Sequence, residues 1–151
     1  MIRRLEYQQV IPASRKAVWK FFSTPLNLDD LTPPSMQFKI ISGGERSIYQ
    51  GQLIEYRIQL LPLVKTRWLT EITHLKEMDY FIDEQRIGPY KFWHHQHHFA
   101  DHPSGTLMED VVTYQLPFGP LGDLVHVLWI KDRLKWIFDY RASQVKQIFS
   151  T

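Results

Sequence analysis

The sequence predicts an α+β fold in which a curved antiparallel sheet of about seven strands wraps around one long C-terminal helix. Three observations support this prediction. One strand-like segment opens the chain and is followed by two short helical segments. Residues 37–116 then alternate apolar and polar side chains between turn residues, which is typical of strands. After residue 117 the apolar residues recur at helical spacing.

The first strand is predicted in "RRLEYQQVI", because Tyr7 and Val10 fall within a loose apolar alternation. A helix follows in "PASRKAVWKFFST", with Ser14 at its N-cap. The segment "NLDDLTPP" allows a second short helix capped by Asn27, which the two prolines then end.

Six further strands are predicted between the two helical parts of the chain. Consecutive strands joined by short turns form an antiparallel sheet. The last two are separated by "DHPSG", which is a good hairpin loop. The segments are "QFKIIS", "QGQLIEYRIQLL", "TRWLTEITHL", "YFIDEQRI", "YKFWHHQHHFA" and "TLMEDVVTYQL".

One amphipathic helix is predicted for the C-terminal part of the chain. A sheet with one apolar face needs a cover, and only this helix is long enough to provide it. Arg141 falls within its apolar stripe and could reach an inward carboxylate such as Asp110 or Asp83, or face the pocket opening. The stripe consists of Leu121, Leu124, Val125, Leu128, Leu134, Ile137, Phe138, Arg141, Val145 and Ile148.

Composition predicts one domain that spans residues 1–151. The formal net charge is only +2, which gives no electrostatic reason to expect a nucleic-acid partner. No cysteine is present, so disulfides and thiolate ligands are excluded. No apolar run is long enough for a transmembrane helix, and the N-terminus lacks the apolar core of a signal peptide. We therefore expect a cytoplasmic protein without a cofactor.

The segment "KFWHHQHHFA" carries four histidines on one predicted strand. Side chains alternate between the two faces of a strand, so Trp93, His95, His97 and Phe99 share a face. The large aromatic residues at both ends of this set predict that it points inward. The other two histidines, 94 and 98, are then expected on the outer face.

The next strand brings an acid to the same face. Met108, Asp110 and Tyr114 share one side of "TLMEDVVTYQL". In an antiparallel hairpin, the residue numbers of two directly opposing residues always add to the same total. Totals of 205 and 207 are the two that place the face of His95 and His97 beside the face of Asp110. The first places His95 opposite Asp110 and the second places His97 there, so either register sets an imidazole beside the carboxylate.

Three interpretations of this group stay open at this stage. It is a satisfied polar network in an apolar wall, a set that orients a polar group of a hydrophobic ligand, or a histidine tuned by Asp110 for acid–base catalysis. The two histidines are close enough for joint metal ligation, but no obvious third ligand completes a site. We therefore predict no metal.

Four segments carry a resemblance to a known superfamily: "VWKFFSTPLNLDDLTPP", "FIDEQRIGPYKFWHHQHHF", "GTLMEDVVTYQLPFGPLG" and "IFDYR". In this order they resemble the START-like, birch-pollen-allergen-like proteins, or SRPBCC superfamily, and within it a bacterial ligand-binding branch related to polyketide cyclase/dehydratases and coenzyme-Q-binding START proteins. The resemblance implies a helix-grip fold. The superfamily includes lipid carriers, hormone receptors and cyclases, so fold alone does not select a function.

The resulting functional prediction is binding of a small hydrophobic or aromatic molecule in a cavity between the sheet and the C-terminal helix. The alternative is a cyclase/dehydratase-like enzyme with His95 or His97 as the base and Asp110 orienting it. A third class is an interaction module with a vestigial cavity. We expect the entrance at "LDDLTPP" and "QLPFGPLG". The predicted ligand-binding residues are Trp68, Trp93, His95, His97, Phe99, Asp110, Tyr114 and Arg141.

Overall fold

The computed structural model describes residues 1–61 and 63–150, except for the side chain of Leu61. Its seven-stranded antiparallel sheet has the order β1-β7-β6-β5-β4-β3-β2, so the first strand closes onto the last. The predicted number and order of strands are confirmed. The strands are β1 Arg3–Ile11, β2 Lys39–Ser42, β3 Leu53–Leu61, β4 Val64–Lys76, β5 Tyr80–Ile87, β6 Phe92–His102 and β7 Gly105–Gln115.

Short helices connect β1 to β2. The first, α1, spans Arg15–Phe22, and the Ser14 side chain accepts a hydrogen bond from the Ala17 N–H as predicted. Two 3₁₀ helices follow, at Pro25–Leu28 and Pro34–Met36. The cap predicted at Asn27 is wrong: this residue lies inside the first 3₁₀ helix, and its side chain donates to the carbonyl oxygen of Phe21.

The long C-terminal helix runs from Gly119 to Phe149 and contains a π turn. It consists of α2 Gly119–Val125, the π turn His126–Ile130, and α3 Lys131–Phe149. No helix among the described residues has both the length and the apolar character needed to cross a membrane.

The predicted apolar stripe covers the sheet only along α3. Leu134, Phe138 and Val145 are buried there. The stripe is wrong for the first part of the helix, because four of its residues are exposed. A π turn adds a residue to a helical turn, so apolar positions on its two sides do not stay in phase. The exposed residues are Leu121, Leu124, Val125 and Leu128.

The core divides into two aromatic clusters. One lies under α1, where Trp19 packs edge-on against Phe81 and Phe99. The other lies under the first half of α3, where Trp68 packs edge-on against Trp93. Between them the sheet carries polar residues on its inner face.

The β6–β7 hairpin adopts one of the two predicted registers. His97 lies opposite Asp110, so the residue numbers of partners sum to 207. His95 and His97 are buried, whereas His94 and His98 lie half-buried on the outer face. The predicted orientation of the strand is confirmed.

Candidate functional site

An internal cavity of about 190 Å³ lies between the concave face of the sheet and the C-terminal helix. Its wall is mostly apolar and aromatic, with Trp68, Trp93 and Phe81 from the sheet and Leu134 and Phe138 from α3. A largely apolar space with a few polar groups is typical of a small-molecule site.

Of the two segments predicted to form the entrance, only one contributes residues to the cavity wall. Leu28, Leu31 and Thr32 of "LDDLTPP" line the cavity. No residue of the described segment 115–122 lines it. The connection between α1 and β2 therefore forms this end of the cavity.

Two histidines and two aspartates form the polar part of the site. His95 Nε2 lies 2.9 Å from Asp110 Oδ1, and His97 Nε2 lies 2.7 Å from Asp83 Oδ2. Asp83 comes from β5 and Asp110 from β7, so the histidines of β6 are held from both neighbouring strands. Their ring centres are 3.8 Å apart.

The two remaining ring nitrogens also face carboxylates. His95 Nδ1 lies 3.7 Å from Asp83 Oδ2. His97 Nδ1 lies 2.9 Å from Asp110 Oδ1, although without the alignment of a hydrogen bond. We call Asp83, His95, His97 and Asp110 the His–Asp cluster.

Both carboxylates of the cluster are ionised at neutral pH. Burial raises the pKa of Asp110, but the charge of Arg141, the hydrogen bond to His95 and the close contact with His97 outweigh it and hold this pKa well below its ordinary value. Burial likewise raises the pKa of Asp83, yet the two histidines lower it below its ordinary value. Each acid therefore depends on neighbouring positive charge.

The two histidines differ in basicity. Burial lowers the pKa of His95, and the neighbouring His97 lowers it further. Burial also acts to lower the pKa of His97, but its contacts with Asp110 and Asp83 outweigh this effect and raise it. His97 therefore takes up a proton first. Protonation of His97 adds a second positive charge, beside that of Arg141, to the two carboxylates.

Two hydrogen-bond donors on the cavity wall are unsatisfied. Trp68 Nε1 and Arg141 Nε are buried and have no hydrogen-bond partner among the described residues. The Arg141 guanidinium carbon lies 5.6 Å from the ring centre of Phe22 and 6.0 Å from that of Phe138. Two residues of the cavity wall therefore each carry a buried donor without an acceptor in the described part of the chain.

The structure brings together most of the predicted ligand-binding residues. Five of the eight line the cavity: Trp68, Trp93, His95, His97 and Arg141. Asp110 lies behind the histidines and borders a separate space of about 30 Å³. Phe99 packs in the core under α1, and the Tyr114 hydroxyl lies 2.8 Å from His126 Nε2. The assignment of all eight to a ligand site stays a prediction.

Sequence reasoning did not identify Asp83 as a partner of the histidines, nor Tyr56 as part of the wall. Tyr56 lines the cavity and stacks on Trp68, with ring centres 5.8 Å apart. The alternation in "YFIDEQRI" places Asp83 on the face of Phe81, and this was the available signal.

Comparisons with known proteins establish the fold. No protein-family model and no curated protein match the sequence. The Zhui aromatase/cyclase from Streptomyces sp. R1128 has a similar structure, with a TM-score of 0.78 and 12% identity over 99% of this chain and 94% of that one. Protein CV1439 from Chromobacterium violaceum has a TM-score of 0.74 and 13% identity over 98% of both chains.

The structure of Ara h 8.0201 is also similar, with a TM-score of 0.62 and 19% identity over 96% of this chain and 98% of that one. At these identities the likeness shows a shared fold. The chain therefore has the helix-grip architecture that the resemblance in its sequence implies.

Proposed function

We propose that this protein binds a compact hydrophobic or aromatic molecule in the cavity between the sheet and the C-terminal helix. The observation that carries the proposal is an apolar cavity whose polar groups converge on one wall. Burial of apolar ligand surface contributes about 25 cal/mol per Å², so such a wall supplies affinity. The polar groups set orientation.

The size of the cavity limits the ligand. An engineered cavity of about 150 Å³ holds benzene. The cavity of about 190 Å³ therefore suits a ligand part of one or two rings.

The unsatisfied donors indicate the polar group. Trp68 Nε1 and Arg141 Nε both lack an acceptor among the described residues. A buried donor left unpaired costs about 1–3 kcal/mol, so a small shift of either side chain that brings its donor to a carbonyl or phenolic oxygen of a ligand recovers part of this cost. We infer a ligand with at least one acceptor oxygen.

Calorimetric titration with two matched probes tests this function. We expect 2-acetylnaphthalene and 2-isopropylnaphthalene to bind with one-to-one saturation, because both fit an apolar wall. The ketone should bind about 1 kcal/mol more tightly, because only it has an acceptor. Equal affinity would argue against the orienting donors, and no saturable binding of either would refute the cavity as a site.

A cavity-filling variant provides the second test. Ile58 on β3 lines the cavity, and Ile58→Phe should reduce the affinity for both probes more than tenfold. Leu53→Phe is the matched control, because Leu53 lies on the same strand and is 51% exposed. Unchanged affinity in Ile58→Phe would show that the probes bind elsewhere.

Native mass spectrometry identifies the natural ligand. The protein is purified from its source, and any bound molecule is released and identified.

The second candidate is a cyclase/dehydratase-like enzyme. It is favoured by two histidine–carboxylate pairs on a cavity wall, and a protein described as an aromatase/cyclase has the same fold. A general base needs a free nitrogen within reach of the substrate. All four ring nitrogens here face a carboxylate oxygen within 3.7 Å, so binding ranks first.

Mass spectrometry separates the two candidates. 1-Phenylhexane-1,5-dione is a suitable probe, because attack of its terminal methyl carbon on the aryl ketone closes a six-membered ring and releases one water to give 3-phenylcyclohex-2-enone. This diketone should be recovered unchanged after incubation with the protein if the protein is a binder. Loss of water from the diketone that disappears in His97→Asn would establish the enzyme instead.

A further inference from the structure

We propose that Asp83, His95 and His97 bind one divalent transition-metal ion at the wall of the cavity. One ligand atom from each of these residues lies within 4.8 Å of the other two. The sequence predicted no metal because no third ligand could be placed beside the histidines. Asp83, brought in from β5, supplies that ligand.

The atoms that converge are those a metal would need. His97 Nε2 lies 2.7 Å and His95 Nδ1 lies 3.7 Å from the same oxygen, Asp83 Oδ2. Bonds of about 2.0–2.2 Å to nitrogen and oxygen place neighbouring ligand atoms roughly 3 Å apart. The two observed separations lie on either side of this value, so small side-chain movements complete the three-ligand set.

The sheet holds these ligands rigidly. His95 and His97 are two residues apart on β6, and Asp83 lies opposite His95 in the β5–β6 ladder. All three side chains belong to central strands of the sheet. A site on strands keeps its geometry more accurately than a site on loops.

Asp110 supports the site from behind. It accepts a hydrogen bond from His95 Nε2, and its Oδ1 also lies 2.9 Å from His97 Nδ1. These are the ring nitrogens that point away from Asp83. Metal-binding histidines almost always donate their second N–H to a carboxylate or carbonyl, which fixes the tautomer. Asp110 therefore holds His95 by a hydrogen bond and lies close to the corresponding nitrogen of His97.

The open side of the site faces the cavity. Asp83, His95 and His97 line the large cavity, whereas Asp110 borders the smaller space behind them. Two imidazoles and one carboxylate with open positions form the ligand set of catalytic zinc and non-haem iron(II) sites. An ion there would present its free positions to an oxygen atom of a molecule in the cavity.

Metal titration tests this proposal independently of any organic ligand. Untagged protein is freed of metal with a chelator and titrated with Zn²⁺ by calorimetry and with Co²⁺ by visible spectroscopy. We expect one ion per chain, with a Kd below about 10 μM. X-ray absorption of the Zn²⁺-loaded wild type should show nitrogen and oxygen ligands, two of them imidazoles, at about 2.0–2.1 Å.

Variants assign the site to these residues. Asp83→Asn and His97→Asn should abolish stoichiometric binding, and Asp110→Asn should weaken it about 10–100-fold. The matched control is the double variant His94→Ala/His98→Ala, which removes two histidines from the outer face of β6 and should bind as the wild type does.

Three results would overturn the proposal. They are no stoichiometric binding by the wild type, an absorption spectrum without two imidazoles, and a loss of binding in the outer-face control equal to that in the inner variants. The spectrum is measured on the wild type, so it decides the matter even where a buried variant does not fold.

Discussion

His95 lies directly opposite Asp83 in the β5–β6 ladder, yet its Nε2 is bonded to Asp110 on the other side, 2.9 Å away. His97 does the reverse: it lies opposite Asp110 and bonds to Asp83. Each histidine is therefore hydrogen-bonded to the aspartate on the strand other than the one where it faces an aspartate directly. Each histidine connects three strands, and the cluster fastens the centre of the sheet as well as the cavity wall.

Removal of one carboxylate from this cluster should destabilise the protein. Asp110→Asn leaves Arg141 and His97 with less negative charge around them in a buried setting, and breaking such an arrangement costs about 3–5 kcal/mol. Urea unfolding of chelator-treated protein measures the loss. Glu109→Gln is the control, because Glu109 is the next residue on β7 and faces outward. A loss no larger than in this control would mean that the cluster contributes little to stability.

His97→Asn should weaken ligand binding more than Asp110→Asn does. His97 lines the cavity, whereas Asp110 lies behind it. The smaller Asn would leave a gap in the wall where the imidazole packs against the probe, and this should reduce affinity by about 1 kcal/mol. Calorimetric titration of both variants with 2-acetylnaphthalene measures the difference, and equal affinities would show that the ligand does not contact His97.

Acid should destabilise the protein through His126. Burial, and next the charge of Arg3, lower the pKa of this histidine below its ordinary value of 6.5. The unfolded chain therefore binds a proton in a pH range where the folded chain does not. The stability that the neutral His126 contributes is fully present above pH 6.5. This contribution is lost as the pH falls from there to the folded-state pKa of His126.

Urea unfolding between about pH 8 and pH 5 isolates this effect when the wild type is compared with His126→Gln. The variant cannot titrate at this position. The free-energy difference between the two proteins should decrease as the pH is lowered. A constant difference would show that His126 does not contribute to the acid response.

The two parts of the C-terminal helix should differ in their sensitivity to truncation. Leu134 is 4% exposed, and Leu134→Ala should cost about 2–5 kcal/mol because it leaves a cavity. Leu128 is 71% exposed, and Leu128→Ala should change stability by less than about 0.5 kcal/mol. Thermal or urea unfolding measures both. A large loss in Leu128→Ala would mean that this face of the helix is covered.

The turn between β6 and β7 should not tolerate a side chain at Gly105. Its φ is +137°, and a Cβ there would lie 2.1 Å from the carbonyl oxygen of Ile11. Gly51 has a φ of +86° with nothing within 4 Å, so it is the matched control. Gly51→Ala should cost about 1–2 kcal/mol of backbone strain. Gly105→Ala should cost more in urea unfolding, and equal losses would contradict the steric argument.

The sequence predicted the features that depend on the alternation of side chains along a strand and on the length of a hairpin loop. Alternation placed His95 and His97 inward, and the short loop before Gly105 left only two registers with Asp110. Both features depend on residues close in sequence. The pairing of β5 with β6 was not restricted in this way, because a longer irregular connection separates the two strands. The role of Asp83 therefore emerged only from the structure.

The exposure of Leu121 and Leu128 was not predictable from periodicity. A helical period identifies residues that share a face, but it does not say whether a sheet covers that face. The π turn at His126–Ile130 also changes the phase between the two parts of the helix. No residue in "HVLWI" marks this change by its type.

The pairing of β1 with β7 has a consequence for how the sheet is made. Arg3 lies opposite Tyr114, so this ladder joins the first strand of the chain to the last. The strands from β2 to β7 pair with their neighbours in sequence, and such local pairings form at lower entropic cost than distant ones. We expect the consecutive hairpins to assemble first and β1 to dock last, which makes closure of the sheet a late step in folding.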